Sequence, residues 1–338
     1  MDRRKNQIDL ARAAGVSVST VSRALSDAPG ISGELRKQIQ GLAIELGYEA
    51  RGARAEPVRP ATAYVTLDRA TGGLAGFYDG IVEQLTAEAR RASLKLDVRL
   101  VDERTFGLKR FVEDFDGARP PAVFLVGLDP SQELAERLIA ANVATVLVNG
   151  ADPETRFDSV APANFYGAEL AARLLLEAGH RSLLYVASNP RWTTTQRMRG
   201  FQAAVSEIKG ASVDICRLSA PTREQAEIAV DQLVAKGRRW TAVFCMNDLY
   251  AVGVMRALEA RRLRVPEDVS VLGFDDLPFA EMTTPRLSTV RVDRHEIGRQ
   301  AVQLMIRRLN APAASTLHIE IGVSPVAGGT IGAPRKPA

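Results

Sequence analysis

Residues 8–25 read IDLARAAGVSVSTVSRAL, two short amphipathic segments joined by a glycine. Leu10 and Ala14 lie on one face of the first segment, and Gly15 can adopt a left-handed turn without steric cost. Ser17 is placed to cap the second segment. The pattern predicts a helix-turn-helix, whose second helix is of the size that enters a DNA major groove.

The predicted second helix has two different faces. Val21 and Ala24 point toward a core, and the opposite face carries Val18, Ser19, Ser22 and Arg23. Arginine can donate two hydrogen bonds to a guanine edge, valine can contact a thymine methyl, and hydroxyls can bond phosphate oxygens. This face is the predicted DNA-reading surface, and the alternative is a solvated polar face on a packing module.

A third helical segment follows in residues 32–46. After Ser32, a predicted N-cap, apolar residues recur at helical spacing at Leu35, Ile39, Leu42, Ala43 and Leu46. Residues 1–60 contain ten basic and seven acidic residues, a net charge of +3 against +4 for the whole chain. The basic excess therefore lies where the helix-turn-helix lies, as expected for nucleic-acid binding.

The composition is that of a globular protein with about two to three domains. The two cysteines are far apart in sequence and the three histidines are not clustered, so we expect neither a disulfide nor a metal site. We also expect no cofactor. The sequence offers no secretory signal and no apolar run long enough to span a bilayer, so the predicted location is the cytoplasm.

The rest of the chain alternates between strand and helix patterns. Residues 49–60, rich in Arg, Gly and Pro, predict a linker after a headpiece of residues 1–48. The predicted strands are 63–67, 94–101, 122–126, 144–148, 183–187, 213–218, 242–246 and 269–274. The predicted helices are 75–92, 132–141, 165–178, 223–236 and 249–261. Repeated units of this kind build parallel sheets covered by helices, and their length favours two similar lobes with a cleft between them.

Polar residues follow several of these strands, at the edge where open α/β sheets bind ligands. The candidates are Asp68, Arg69, Asn149, Asn164, Asn247 and Asp275. Asn and Asp at such junctions also commonly cap the next helix, so each has a purely structural alternative. Their convergence on one crevice favours a binding site.

Several motifs along the chain resemble one known family. They are IDLARAAGVSVSTVSRALSD, LGY at 46–48, AGHRSLLYVA from Ala178, QRMRGF from Gln196, FCMNDLYAVGVMRAL from Phe244 and RVPEDVSVLGFDDLPFA from Arg264. Together they resemble the LacI/GalR family of bacterial transcription regulators over nearly the whole chain. The resemblance implies a helix-turn-helix headpiece, a hinge, and an α/β core of two Rossmann-like lobes similar to periplasmic binding proteins.

The resemblance also implies domain boundaries. The headpiece is expected at 1–48, the hinge at 49–60 and the core at 61–330, followed by a tail at 331–338. Lobe 1 is expected to comprise about 61–161 and 291–318, and lobe 2 about 162–290 and 319–330.

Functional roles follow from the same resemblance. Val18, Ser19 and Arg23 match base-reading positions, and Ser17, Thr20 and Ser22 match positions that contact the DNA backbone. Asn164, Arg197, Asn247 and Asp275 match effector-contacting or effector-proximal positions. The family's minor-groove leucine is missing after LGY, with Pro57 near its place, so Arg51 and Arg54 are the expected groove or phosphate contacts of the hinge.

Two aromatic residues are further candidates for the effector site. Trp192, placed in the loop SNPRWTTTQ, offers an apolar platform for a sugar ring, with loop packing as the alternative. Phe77 lies near the exit of the first core strand, with a place in the helix core as its alternative.

The expected function is a DNA-binding regulator, most simply a repressor, controlled by a small effector such as a sugar. It is expected to act as a homodimer on a pseudo-palindromic operator, without membrane partners, in the bacterial cytoplasm and on the nucleoid. The C-terminal segment lacks a leucine heptad, which favours a dimer over a tetramer. The alternative is a sugar-binding protein without a regulatory role. An enzyme is not expected, because the sequence lacks GxGxxG after a strand, GxxxxGK[ST] and GxSxG.

Overall fold

The structure is a computed structural model, and its parts form two units, Met1–Val58 and Arg59–Ala338. The residues it describes are 7–25, 28–46, 59–66, 76–102, 105–113, 122–188 and 191–335. In the first unit, the headpiece, the helices are α1 (Gln7–Ala14), α2 (Val18–Leu25) and α3 (Gly33–Glu45).

The headpiece closes around a small apolar core. One residue from each helix, Leu10, Val21 and Ile39, is fully buried, and the three belong to one apolar cluster. Ser32 caps α3 as predicted, because its Oγ accepts a hydrogen bond from the Leu35 amide at 3.3 Å. Gly15 has φ 66° in the turn between α1 and α2, the left-handed conformation that the sequence predicted.

The turn at Gly15 gives a testable prediction. A Cβ at Gly15 would meet no atom within 4 Å, so any cost of Gly15→Ala comes from backbone strain alone. We expect this variant to destabilise the headpiece by about 1–2 kcal/mol. Gly15→Asn should cost less, because asparagine tolerates the left-handed region. Amide hydrogen exchange in α1 and α2 of the full chain measures both, and equal protection in Gly15→Ala and the wild type would contradict the strain argument.

The second unit, the body, alternates strands and helices. Its strands are β1 (Arg59–Thr66), β2 (Leu94–Val101), β3 (Ala122–Val126), β4 (Ala144–Val148), β5 (Asp158–Pro162), β6 (Ser182–Ala187), β7 (Ser212–Arg217), β8 (Ala242–Cys245), β9 (Ser270–Leu272), β10 (Thr289–Val292), β11 (His318–Ile321) and β12 (Val323–Val326). Its helices are α4 (Phe77–Arg91), α5 (Leu108–Glu113), α6 (Gln132–Ala140), α7 (Asn164–Glu177), α8 (Trp192–Ser206), α9 (Arg223–Ala235), α10 (Asp248–Ala260) and α11 (Arg294–Asn310), with a 3-10 turn at Pro278–Met282.

The body strands form two parallel sheets. The first has the order β2-β1-β3-β4-β5-β11 and the second the order β7-β6-β8-β9, while β10 and β12 form an antiparallel pair. We call the first sheet with its helices lobe 1, and the second sheet with the β10–β12 pair and its helices lobe 2. The chain crosses between the lobes at Ala163, Asp293 and Gly322. Two parallel α/β lobes agree with the predicted fold class.

Several predicted boundaries need correction. Pro162 belongs to β5 in lobe 1, and Arg291 and Val292 belong to β10 in lobe 2, so the first two crossings lie one and two residues later than predicted. Strand β1 begins at Arg59, because Arg59 and Pro60 pair with Leu94 and Lys95 of β2, so the core starts inside the predicted linker. Strand β11 pairs with β5 as far as Ile321, so the third crossing follows 321 rather than 318.

The last correction concerns the predicted tail, since residues 331–335 pack on lobe 2. The imidazole Nε2 of buried His180 lies 2.9 Å from the Gly332 carbonyl oxygen, and the Gly332 amide donates to Ser270 Oγ at 3.0 Å. Burial lowers the pKa of His180, which favours its neutral form in this contact. In the described ranges, no helix combines the length and the apolar character needed to cross a bilayer.

Candidate functional site

The predicted DNA-reading face is exposed on α2. Val18 is 41% exposed, and Ser19, Ser22 and Arg23 are also exposed, while Val21 and Ala24 are buried beneath them. Ser17 caps the helix, because its Oγ accepts from the Thr20 amide at 3.1 Å. The same oxygen lies 2.8 Å from the hydroxyls of both Ser19 and Thr20.

Three hydroxyls are therefore ordered around the N-terminus of α2, where the helix dipole favours an anion such as a phosphate. This arrangement presents hydroxyl donors at one end of the helix and the Arg23 guanidinium beyond them on the same face. The predicted hinge contacts Arg51 and Arg54 lie outside the described residues.

In the body, polar side chains gather where the strands of lobe 1 end. Asn149, directly after β4, donates from Nδ2 to the Tyr78 hydroxyl at 2.8 Å. Asn149 Oδ1 and Thr66 Oγ1, at the end of β1, are buried and find no hydrogen-bond partner within the described part of the chain. A buried oxygen without a partner is costly, so these two atoms are suited to a ligand that donates hydrogen bonds.

Arg197 organises the matching edge of lobe 2. Its Nε donates to Asn164 Oδ1 at 2.7 Å and its Nη1 to the Met246 carbonyl oxygen at 2.7 Å. Its Nη2 lies 3.3 Å from Asp275 Oδ1, and its guanidinium carbon lies 3.8 Å from the centre of the Phe274 ring. Arg197 is 6% exposed, so these contacts fix the guanidinium in one orientation.

Two buried carboxyl groups lie beside this arginine. The Asp248 carboxyl accepts hydrogen bonds from the Leu277 amide at 2.8 Å and from the Thr289 hydroxyl at 2.5 Å. Its pKa is raised well above the usual range, mainly by burial and secondly by the nearby Asp275 charge. Burial raises the pKa of Asp275 to about 6, although Arg197 opposes that shift. Among the described residues Asp275 Oδ1 is ion-paired with Arg197 at 3.3 Å, a contact that lacks good hydrogen-bond geometry. Asp275 thus offers a ligand an acceptor whose charge depends on pH near neutrality.

The structure separates the candidates that had capping as an alternative. Asn247 does cap α10, because its Oδ1 accepts from the Tyr250 amide at 2.9 Å. Asn164 does not cap α7, since its Nδ2 donates to the Pro162 carbonyl oxygen and its Oδ1 serves Arg197. Asp275 has φ 113°, a strained conformation for a residue with a side chain.

The aromatic candidates have different surroundings. Phe77 is 3% exposed within the main hydrophobic cluster, in edge contact with Tyr78, so it packs in the core as its alternative proposed. Trp192 was placed in a loop, and that prediction is wrong, since it is the first residue of α8 and is 37% exposed. Asp68 and Arg69 lie outside the described residues.

Sequence reasoning missed two charged residues of this cleft. Asp129 follows β3 and Arg191 precedes α8, and their side chains form an ion pair at 2.9 Å. The rule that found Asn149 also applied to Asp129, which likewise follows a buried strand. Arg191 carried no comparable signal, because its partner is 62 residues away in the chain.

The three-helix headpiece exposes a recognition helix, and the two-lobed α/β body contains a polar cleft. Together these features define the class of helix-turn-helix transcription regulators with a ligand-binding body.

Comparison with known proteins agrees with this class. Residues 8–50 match the model of bacterial regulatory proteins of the lacI family, and residues 172–331 match a periplasmic binding protein-like domain. The regulator GalR of Salmonella typhimurium strain LT2 is 30% identical, with 92% of each chain covered. The chain belongs to the LacI family of bacterial regulatory proteins.

Solved structures share the fold. A complex of the transcriptional regulator CelR with cellobiose has a TM-score of 0.72 at 24% identity, covering 97% of this chain and 100% of that one. The lac repressor dimer bound to operator and the anti-inducer ONPF has a TM-score of 0.72 at 22% identity, covering 98% of this chain and 100% of that one. From its family, the protein is a DNA-binding transcription regulator controlled by a small effector, and a solute-binding protein without a DNA role does not fit that family.

Proposed function

We propose that this protein is a repressor whose operator binding is controlled by a neutral, polyhydroxylated effector, a sugar or sugar derivative, in the cleft between the lobes. The observation that carries the proposal is the set of buried oxygens at the strand ends. Thr66 Oγ1 and Asn149 Oδ1 receive no hydrogen bond from the described residues, Asp275 Oδ1 has only its 3.3 Å ion pair with Arg197, and sugar hydroxyls are suitable donors.

The charges around the cleft favour an uncharged ligand. Arg197 is paired with Asp275 and Arg191 with Asp129, so both guanidinium groups already have a carboxylate partner. An anionic effector would have to compete with these carboxylates. The cellobiose complex of the structural neighbour is consistent with a sugar in a fold of this kind.

We assign the effector contacts to Asn149, Asn164, Arg197 and Asp275, and add Thr66 from its position. Asn247 acts mainly by capping α10, and Phe77 shapes the cleft from the core. Trp192, Asp68 and Arg69 remain predicted contacts at the cleft, and no catalytic reaction is assigned to any of these residues.

On the DNA side, we assign base contacts to Val18, Ser19 and Arg23. Phosphate contacts are assigned to Ser17, Thr20 and Ser22, with Arg51 and Arg54 as hinge contacts. Family membership supports these roles, as do the exposure of the α2 face and the ordered hydroxyls at its start. The expected location is the bacterial cytoplasm, on the nucleoid when bound.

We infer that the body forms a homodimer through lobe 2. A surface cavity of about 670 Å³ lies between the end of α10 and residues 283–285, beside Met282, which is 82% exposed. The wall of this cavity carries both positive and negative side chains, including Arg256, Arg264 and Glu259. A face with both signs can pair with its own copy across a two-fold axis, and a dimer of that symmetry fits a pseudo-palindromic operator. The structural neighbour bound to operator is also a dimer.

The direct experiment has two parts. Operator sequences are selected from a random DNA pool with the purified protein, and a panel of neutral, acidic and phosphorylated sugars is then screened by thermal shift and for release of the selected DNA. We expect a neutral sugar to raise the melting temperature and change DNA affinity. Selection of no preferred sequence, or a response only to charged ligands, would contradict the proposal.

Effector binding should depend on pH through Asp275. The pKa of its carboxyl is about 6 in the folded protein, against an ordinary value of 3.8. The ionised form accepts the stronger hydrogen bond, so effector affinity should fall by about tenfold as the pH drops from 7 through 6 to 5. Calorimetry across this range measures it. Asp275→Asn should bind more weakly at pH 7 and show a flat profile, and a pH dependence that persists in this variant would assign it to another group.

The same pKa shift has a defined effect on folding. The folded-state pKa is raised, so the folded protein holds the Asp275 proton more tightly than the unfolded chain between pH 3.8 and about 6. The stability that this group contributes is present below pH 3.8 and is lost as the pH rises through 6. Protonation of Asp275 in acid favours the folded state, so it cannot weaken effector binding by unfolding the body.

A further inference from the structure

Arg191 and Asp129 connect the two lobes through their side chains. Asp129 follows β3 in lobe 1, and Arg191 precedes α8 in lobe 2. The guanidinium donates from Nη2 to Asp129 Oδ1 at 2.9 Å and from Nε to Asp129 Oδ2 at 3.2 Å. Nη2 also donates to the Asn149 carbonyl oxygen at 3.2 Å. One arginine of lobe 2 is thus held by two strand ends of lobe 1.

The acceptor group on lobe 1 is fixed independently of the arginine. The Ala151 amide donates to Asp129 Oδ1 at 3.1 Å, which ties the carboxylate to the loop after β4. The two loops pack so closely that a Cβ on Gly150 would lie 2.6 Å from the Leu128 carbonyl oxygen. Lobe 1 therefore presents a preformed receptor for a guanidinium.

We propose that the Arg191–Asp129 pair is a latch that holds the lobes closed over the cleft before any effector binds. The three crossings join the lobes covalently, whereas this pair joins them by contacts that must break when the lobes separate. The Arg191 side chain is only 5% exposed and that of Asp129 28% exposed. A two-point contact in such a partly dehydrated setting is stronger than an exposed ion pair.

The latch goes beyond the proposed effector site, because it acts in the absence of a ligand. By favouring the closed arrangement, it lowers the free energy that an effector must supply for closure. The Arg191–Asp129 pair is also separate from the charged effector contacts, since Arg197 and Asp275 pair with each other.

The test measures lobe closure without effector. Fluorophores are attached to cysteines introduced at Glu133 in lobe 1 and Lys209 in lobe 2, both exposed positions. The native Cys216 and Cys245 are buried, and burial raises the pKa of both thiols, so they should react slowly with the labels. In dimers that combine one labelled and one unlabelled protomer, single-molecule energy transfer then gives the ratio of closed to open molecules in the wild type and in variants.

We expect Arg191→Met to lower the ratio of closed to open molecules by about tenfold or more, as for other close charge pairs. Asp129→Asn should act similarly, and the double variant should be no more open than the single ones. Arg156→Met is the matched control, because Arg156 pairs with Asp152 at 2.7 Å entirely within lobe 1. It should leave the ratio unchanged.

Three outcomes would overturn the latch. They are a wild-type distribution in Arg191→Met, opening in Arg156→Met to the same extent, or opening in Arg191→Met without opening in Asp129→Asn. Circular dichroism confirms that each variant is folded. If Arg191→Met does not fold, Asp129→Asn answers the same question, since it removes the charge of the pair from the lobe 1 side. An unchanged distribution in Asp129→Asn would then refute the proposal.

Discussion

Arg197→Met is expected to abolish the effector response while the headpiece still binds operator. The guanidinium fixes Asn164 and Asp275 and touches Phe274, so its loss removes one contact and misplaces two others. We expect effector affinity to fall by more than about a hundredfold, the effect of losing a charged hydrogen-bonding group in a buried site. A DNA-release assay over a range of effector concentrations measures it.

A stability effect must be separated from this binding effect. Arg197→Met leaves Asp275 buried without its cation, which should destabilise the body by about 3–5 kcal/mol. The double variant Arg197→Met/Asp275→Asn removes that unpaired charge and should recover part of the stability without recovering the response. Arg199→Ala is the matched control, an exposed arginine on the same helix, and should respond like the wild type. A normal response in Arg197→Met at wild-type effector concentrations would place the site elsewhere.

Arg23→Ala is expected to lose sequence discrimination rather than general DNA binding. A bidentate contact to a guanine contributes about 1–3 kcal/mol of specificity, so affinity for the selected operator should fall by about one to two orders of magnitude. Binding to random DNA depends on the total charge and should change little. Fluorescence-anisotropy titrations on both DNAs at a fixed salt concentration measure the ratio.

Lys37→Ala provides the control for charge alone. Lys37 is an exposed cation on α3 and not on α2, so its removal should change operator and random DNA binding by the same small factor. If Arg23→Ala also weakens both DNAs equally, Arg23 contacts phosphates and not a base.

The headpiece was predictable from sequence because its determinants are local. Gly15 sets the turn, Ser17 and Ser32 cap the helices that follow them, and apolar residues recur at helical spacing. The sheet centres were equally clear, since β3 and β4 are short, mostly apolar and mostly buried runs with the predicted bounds. Such runs indicate strands that are covered on both faces.

The missed elements lack those local signals. Strand β5 begins with Asp158, a fully buried carboxylate that Arg308 neutralises at 2.7 Å from a distant helix. Strand β11 alternates exposed and half-buried residues at the sheet edge. Helix α11 carries apolar residues at Ile297, Ala301 and Met305, a helical spacing that went unused because its sequence is strongly charged.

The residues of the candidate site likewise divide into those that the sequence identified and those whose role depends on tertiary contacts. The rule that ligands bind at strand ends found Asn149 and Asp275, and the family resemblance added Arg197. Which of these atoms lack a partner depends on tertiary geometry, as does the capping role of Asn247. The Arg191–Asp129 contact joins two lobes through residues far apart in sequence, so no local pattern predicts it.

The crossings at Ala163, Asp293 and Gly322 constrain how such regulators can be recombined. Each lobe is assembled from separate stretches of the chain, so no single cut within 59–335 yields an intact lobe. A cut near residue 58 respects the boundary between the two compact units. Chimaeras that exchange ligand response between family members should therefore transfer the body whole, with a foreign headpiece grafted before Arg59.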